Sequence, residues 1–561
     1  SEAVQRGCSA ARMPWEVCPR AASPMNPQTA SSMVAVRRRQ SADSPFLISG
    51  GTAATFAAVD VEAASLAASL ARLGVERGDR IALVLPSCPE SVVSFFAAVR
   101  LGALVVPLDP NLLLPDLGYV LRHVGAACLV TDDRLRGQDH LQVREELLDG
   151  SPELAHIVTI GGASLWYDDR IHRWSDLLSA GQRRVSPGHR ARPSDGLAIL
   201  YTTCTRGKPR GVELAHSNIA HAAHETARAL SLGPDDVLAG LTATHTPFAL
   251  GPGMLGAAAF GAALALQADS DPDAIMDDAE RHGATILCGT PHSLESLLRS
   301  VERRGGPPTT LRLCLSTGAP VRYGLARRIE ATLRVPLATA YSLPETASTL
   351  AMTRPGDPAR KRHWTVGRPI GQTTVRLEAH DGSTVPTESV GRICVRGPGV
   401  MQGYHRQPRE TASVLDSDDF LRTEDVGMLD EEGYLHLIGR RGETVMRGGR
   451  AVRSREVERC LMAHPAVDRA TVIGLADEIL GEAACACVVR VEGGVLSERE
   501  IREWVAAKLA QHRVPDVVSF MEDLPLTETG QVERHELRRR LDRAWRTGPG
   551  AQRRFDDPRL D

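Results

Sequence analysis

Leu197-Ala-Ile-Leu-Tyr-Thr-Thr-Cys-Thr-Arg-Gly-Lys-Pro-Arg-Gly-Val212 is an apolar run that breaks into a loop of hydroxyls, glycines and cations. The run predicts a buried strand, and the break predicts a turn leaving it. Thr202, Thr203 and Thr205 can offer hydroxyls to phosphate oxygens, and the glycines can offer bare backbone N–H groups. The GxxxxGK[ST] spacing of a Walker loop is absent. Taken alone, the stretch also reads as a surface loop between two strands, and that reading is the commoner one.

Outward from this loop, helix and strand signals alternate. Phe56, Val59, Ala63, Leu66, Leu70 and Leu73 recur at helical spacing and stop at Gly74. Runs at 81–85, 104–108, 197–201, 285–288 and 311–315 predict strands, with an apolar helix from Val92 to Leu101 between the first two. Such alternation implies α/β layers with largely parallel sheets. Beyond about residue 365, short strands and turns predict a small β subdomain. Gly439-Arg-Arg-Gly442 then punctuates the chain, and the remainder to about 545 has its own helix–strand alternation.

The chain has 561 residues, which fits two or three domains. It is 42% apolar and 24% charged, so it is neither disordered nor fibrous. A net charge of −3 argues against a nucleic-acid partner held by electrostatics. Lys208, Lys361 and Lys508 are the only lysines among 66 basic residues. The 11 cysteines form no CxxC pairs, and Cys485 and Cys487 alternate in an apolar stretch, so a reducing cytoplasm fits better than a disulfide framework. Residues 1–44 read as a flexible leader without a secretory signal, and 546–561 as a polar tail. The uncharged stretch Pro247 to Leu266 carries two Pro and four Gly, which predicts a loop and a buried element, with no membrane span.

The loop does not stand alone. Ala215-His-Ser-Asn218, Ala340-Tyr-Ser-Leu-Pro-Glu-Thr346, Arg422-Thr-Glu-Asp-Val-Gly427, Gly433-Tyr-Leu-His-Leu-Ile-Gly-Arg440, Arg447-Gly-Gly-Arg450 with Glu456-Val-Glu458, and Pro525-Leu-Thr-Glu-Thr-Gly-Gln531 follow it in order. Over about residues 45–545 this series resembles the adenylate-forming superfamily of acyl-CoA synthetases, luciferases and peptide-synthetase adenylation domains. The resemblance implies a large N-terminal domain of layered α/β sheets plus a β subdomain (45–439), a hinge at 440–442, and a small mobile C-terminal α+β domain (443–545). It implies a nucleotide site of Thr202, Thr203, Thr205, Gly318, Ala319, Pro320, Tyr341, Ser342, Asp425 and Arg440. In it Tyr341 stacks on adenine, Asp425 takes both ribose hydroxyls, and Glu345 meets phosphate or Mg2+. Family members join a carboxylate to ATP, giving acyl-AMP and pyrophosphate, and then pass the acyl group to CoA with release of AMP.

The family lysine of the first step falls at Gln531, which is neutral. Losing a preplaced cation where charge develops costs about 3–5 kcal/mol, roughly 10²–10⁴ in rate. Arg534 and Arg538 are near in sequence, but a guanidinium on another reach does not replace an ammonium. In the phosphate loop, the family Gly is Cys204, a Thr is Arg206 and the Lys is Arg210. Both departures touch the triphosphate half of the chemistry, whereas the AMP-handling set is intact.

The same resemblance places Arg447, Gly448, Gly449 and Arg450 at the CoA tunnel, and His245, with Thr246, Thr290, Pro291 and Leu343, at an acyl pocket. No Asp or Glu lies between Asp236 and Asp269, which argues against an amino-acid substrate. Gly253, Gly256 and Ala257 to Ala259 suggest room for a bulky hydrophobic acid. The glutamine is also similar to the non-adenylating acyl-CoA ligases of platensimycin-type diterpenoid biosynthesis, implying a diterpenoid acid handed over as acyl-adenylate by a separate adenylating enzyme. Three readings follow: a ligase confined to thioester formation, a complete ATP-dependent ligase, and a pseudoenzyme that binds AMP or acyl-AMP. His245, Glu345 and Gln531 are the positions where catalysis would be decided.

Overall fold

A computed structural model of the protein describes residues 29–547, apart from 32, 34–39, 113, 133–146, 148–149, 162–167, 183–189, 203–208, 242, 269–270, 380–381, 441–443, 448–449, 478–480, 492 and 527–531. Two large sheets dominate. One has nine strands, and its centre runs Leu337–Leu343, Leu313–Thr317, Ile286–Gly289, Val237–Leu241, Ala263–Leu266, Pro45–Ser49, all parallel. The other has eight, with Gly196–Tyr201, Leu104–Leu108, Arg80–Val84, Ala126–Asp132, His156–Ile160 and Ile171–Arg173 parallel in that order. The chain is thus of mixed α/β class, as its alternation predicts.

Helices fill the space between the sheets. Phe56–Arg72 starts where Thr55 Oγ1 accepts the N–H of Ala58, at 3.2 Å, and its stripe of Phe56, Val59, Ala63, Leu66 and Leu70 is buried. Pro89–Leu101 ends at Gly102, whose φ of 74° closes the helix in a left-handed turn. Side chains from both sheets and these helices, among them Phe46, Leu66, Ile81, Phe95 and Leu264, share one core. Burying such residues at about 25 cal/mol per Å² is the main force joining the layers.

The strand expected at 311–315 begins two residues later, at Leu313, because register with Ile286–Gly289 and Leu337–Leu343 sets its ends. The Pro247–Leu266 stretch is a buried π-helical segment, Ala249–Gly256, running into a short helix, Ala257–Phe260, and the strand Ala263–Leu266. Pro252 lies inside this segment and has no N–H to give to a tighter helix. Among the described residues no helix is long and apolar enough to cross a membrane.

After residue 370 four antiparallel strands, Thr374–Glu378, Val390–Arg396, Leu421–Leu429 and Leu435–Arg440, form a separate sheet. The last sheet is built from Thr444–Arg447, Arg450–Arg453, Val467–Asp477, Gly481–Arg490 and Val517–Met521. Its two apolar clusters contain only residues beyond 444, so this part has its own core. Cys485 and Cys487 are fully buried in it.

Candidate nucleotide cleft and acyl cavity

A cleft with a free interior of about 120 Å³, open to solvent, lies where the nine-stranded sheet meets the four-stranded one. Its lining includes Gly318, Ala319, Pro320, Tyr341, Ser342, Leu343, Asp425 and Arg440. Gly318 follows the strand Leu313–Thr317 with φ 85°, a conformation that favours glycine. Asp425 and Arg440 face each other across paired antiparallel strands. Arg440 Nε donates to Asp425 Oδ1 at 3.2 Å, and Tyr341 Oη donates to Asp425 Oδ2 at 2.5 Å. Each carboxylate oxygen keeps a lone pair, so Asp425 can still accept two hydroxyl donors. Burial and the Asp425 charge push the Tyr341 phenol well above its usual range, so it stays a donor. Ser342 Oγ lies 3.3 Å from Thr317 Oγ1 and from Thr349 Oγ1.

Glu345 sits on the turn Pro344–Thr346 and does not line this cleft. Its Oε1 accepts from Tyr404 Oη at 3.0 Å, and burial raises its carboxyl above the ordinary value. The Arg210 guanidinium lies over the Tyr404 ring, 5.2 Å from its centre. Mg2+ is commonly held by one or two carboxylates plus substrate phosphates. Glu345 can offer the one carboxylate, and among the described residues no group of three His, Cys, Asp or Glu could hold an ion without further ligands. The site therefore fits such an ion only with a polyphosphate present. At the phosphate loop, the Thr202 N–H donates to the Arg210 carbonyl at 3.0 Å and closes the base. Thr203, Cys204, Thr205 and Arg206 lie outside the described residues, as do Gly442, Gly448, Gly449 and Gln531.

His245 enters a second, narrower space with Leu83, Leu85, Phe95, Pro107, Leu250 and Met254. The free interior, about 10 Å³, holds one water-sized sphere. None of these six neighbours carries a signal in the sequence that points to the pocket. Leu343 instead lines the nucleotide cleft. Thr290 and Pro291 line neither space: Thr290 caps the helix Pro291–Arg304 by accepting the Ser293 N–H at 3.2 Å, and Pro291 opens it. Thr246 Oγ1 donates to the Ala243 carbonyl at 3.0 Å and holds a turn. The small residues do not enlarge the cavity either. A Cβ on Gly253 would come within 3.1 Å of Leu241 Cδ1, and one on Gly256 within 3.3 Å of the Ala223 carbonyl, so they permit close packing of the π-helical segment.

His245 Nδ1 is buried without a hydrogen-bond partner, and Nε2 lies 3.9 Å from Asp109 Oδ2. Burial holds the imidazole below its ordinary 6.5, with Asp109 opposing weakly. Between the folded value and 6.5 the unfolded chain binds more protons, so this group removes stability as pH falls through that window. His245→Asn is expected to flatten the loss of stability between pH 6.5 and 5, measured by urea denaturation across that range. An unchanged slope would refute the buried neutral imidazole.

Arg447 is turned to its own sheet. Its Nη2 lies 2.6 Å from Asp516 Oδ1 and its Nε 2.9 Å from Oδ2. The strand it ends pairs Arg447 with Arg450 of the following strand.

The family model for AMP-binding enzymes matches residues 34–405, and that for the AMP-binding enzyme C-terminal domain matches 456–531. The chain is 31% identical, over 88% of its length and 86% of the relative, to the salicyl-AMP ligase / salicyl-S-ArCP synthetase of Mycobacterium tuberculosis H37Rv. It is 30% identical to the feruloyl-CoA synthase of an Amycolatopsis species, over 90% of this chain and 97% of that one. Its fold is similar to the anthranilate CoA ligase AuaEII solved with anthranoyl-AMP, with a TM-score of 0.78, 25% identity, and coverage of 92% of this chain and 98% of that one. The chain belongs to the AMP-binding enzyme family, the adenylate-forming superfamily that contains the acyl-CoA and aryl-acid ligases.

Proposed function

We propose that this enzyme forms a thioester from a preformed acyl-adenylate and CoA, and is deficient in ATP-dependent adenylation. The CoA sulfur bonds to the acyl carbon, the bond from that carbon to the phosphate oxygen breaks, AMP leaves, and the thiol proton passes to solvent. The observation that supports this reading is the engagement of the chain's candidate substitute cations, Arg534 and Arg538 near Gln531 in sequence and two lysines, with other partners. Arg534 Nη2 is held by the buried Glu458, at 2.8 and 3.1 Å from its two oxygens. Arg538 Nη2 pairs with Glu482 Oε1 at 3.4 Å. Lys508 lies over the Trp504 ring, and Lys361 bonds to Asp430 and Glu432. Each of these cations already has another partner, which supports a deficit of positive charge where a carboxylate meets the α-phosphorus.

Asp425, Tyr341 and Arg440 supply the ribose and adenine contacts. Glu345 would lend its carboxylate to Mg2+ if a polyphosphate brings one; no step of the proposed transfer needs it. The acid is a hydrophobic one, and a bulky diterpenoid acid would enter by displacing Met254, an unbranched and adaptable side chain. A separate adenylating enzyme supplies the adenylate, and cytoplasmic work suits the buried free thiols.

A complete ATP-dependent ligase is the second reading, favoured by Arg210, which keeps a cation over the ring of Tyr404, the hydrogen-bond partner of Glu345. Two assays separate them. Hydrophobic acid with ATP is expected to give no pyrophosphate exchange, while synthetic acyl-AMP with CoA gives thioester. Exchange at ordinary ligase rates would overturn the first reading. Binding of AMP without turnover in either assay would leave a pseudoenzyme. Gln531→Lys is expected to bring some exchange activity into view where the parent shows none, because it restores one charge-assisted contact among several that are altered. No gain would place the block in the phosphate loop.

A further inference from the structure

The acyl cavity leaves a polar atom of its wall unpaired. Besides His245, its polar lining residues are Ser91 and Thr244, and the other six are apolar. Ser91 Oγ donates to the Cys88 carbonyl at 2.7 Å. His245 Nδ1 is buried and has no hydrogen-bond partner among the described residues. Burial holds the imidazole below its ordinary value, so at neutral pH it carries a single ring proton. Nε2 faces the Asp109 carboxylate, 3.9 Å from Oδ2, and Asp109 Oδ1 accepts the Asn111 N–H at 2.8 Å, which holds that carboxylate in place. Its negative charge draws the ring proton to Nε2. Nδ1 is then a lone pair in apolar surroundings, and an acceptor left in that state is costly. The free interior of about 10 Å³ has room for one oxygen or nitrogen atom and none for a ring. The reacting end of an acyl-adenylate cannot supply the donor, because its carbonyl and ionised phosphate oxygens only accept.

We propose that the acid this enzyme takes carries a hydrogen-bond donor, a hydroxyl or an amino group, on its hydrophobic skeleton, and that His245 Nδ1 selects it by accepting that donor. This rests on the thioester-forming reading and names the substrate class of its acyl site. The apolar wall meets the hydrocarbon of the acid, and His245 is the specificity-determining residue. An acid of hydrocarbon alone, or one whose substituent only accepts, such as an ether or a fluoride, leaves Nδ1 unpaired.

The test is acyl transfer to CoA by the full-length protein from synthetic adenylates in matched pairs. The acids are ortho-, meta- and para-hydroxybenzoic acid and podocarpic acid, a phenolic diterpenoid acid, each beside the analogue with fluorine in place of the hydroxyl. Fluorine is close to a hydroxyl in size and donates nothing. In at least one pair the hydroxyl member is expected to have a kcat/KM about 10–100-fold higher, the effect of stranding a buried acceptor. His245→Leu removes the acceptor and should bring that ratio to within about twofold of unity. Any difference in intrinsic reactivity within a pair is common to parent and variant, and cancels in this comparison. His245→Asn should restore part of the ratio, because the amide can turn its oxygen toward the donor. Equal kcat/KM across every pair in the parent, a preference for fluorine, or a preference that survives in His245→Leu would overturn the proposal while leaving the thioester chemistry in place. A parent protein that makes thioester from none of the adenylates would overturn the thioester-forming reading itself.

Discussion

Asp425→Ala is expected to lower acyl transfer from acyl-AMP to CoA by about 10²–10⁴-fold, from the loss of two hydrogen bonds to a charged acceptor at about 1.5–3 kcal/mol each. The carboxylate is nearly enclosed, 12% exposed, and has the Tyr341 hydroxyl and the Arg440 guanidinium as fixed donors. Those two donors orient its remaining lone pairs toward the cleft before any nucleotide arrives, so little ordering is left to do on binding. Removing it has two effects at once. The ribose loses its acceptor, and the buried Tyr341 hydroxyl loses its partner. Asp425→Asn separates them, because the amide keeps an oxygen for one donor while surrendering the charge; its loss should be about tenfold, for one charged contact. Stopped-flow transfer with synthetic acyl-AMP measures both. Transfer by Asp425→Ala within threefold of the parent would mean that the ribose is held elsewhere.

Glu458→Ala is expected to destabilise the C-terminal part by about 3–5 kcal/mol, the cost of leaving a half-buried charge without its partner. Glu458 Oε1 accepts from Thr471 Oγ1 at 3.0 Å, from the Val472 N–H at 2.7 Å and from Arg534, so one oxygen organises a helix, a strand and the segment after Gln531. Urea unfolding of the full chain, followed at Trp504 after replacement of the other tryptophans, should show that transition moving to lower denaturant. A double-mutant cycle with Arg534→Ala should give strong coupling, since the two side chains touch. A shift below about 0.5 kcal/mol would be that of an ordinary surface site. It would also mean that Glu458 does not hold Arg534 away from the reacting groups.

The layered sheets were legible because their strands are continuous apolar runs between glycine and proline breaks, as at Arg80–Val84 and Leu104–Leu108. Asp425, Arg440 and the Gly318 turn were legible as motifs, and the fold brings them to one cleft. Tyr404 was not. It belongs to a strand of two residues whose partner, Gly211–Ala215, is nearly two hundred positions away, and such pairing leaves no local pattern. Thr290 and Pro291 differ from their expected place for another reason. A Thr-Pro step before a helical run is a capping signal, and that local role outweighs a place in the pocket. Gly253 and Gly256 suggested space, but a glycine can equally mark where backbones touch, and only the three-dimensional neighbours decide which.

The segment Ala249–Gly256 is wound more loosely than its flanks, and Leu250 and Met254 on it close the space beside His245. Deleting one residue there would restore ordinary pitch and re-aim the side chains that this segment turns toward the space. Evolution could thus retune which acids enter by altering how many residues the chain has here, keeping each chemical group as it is.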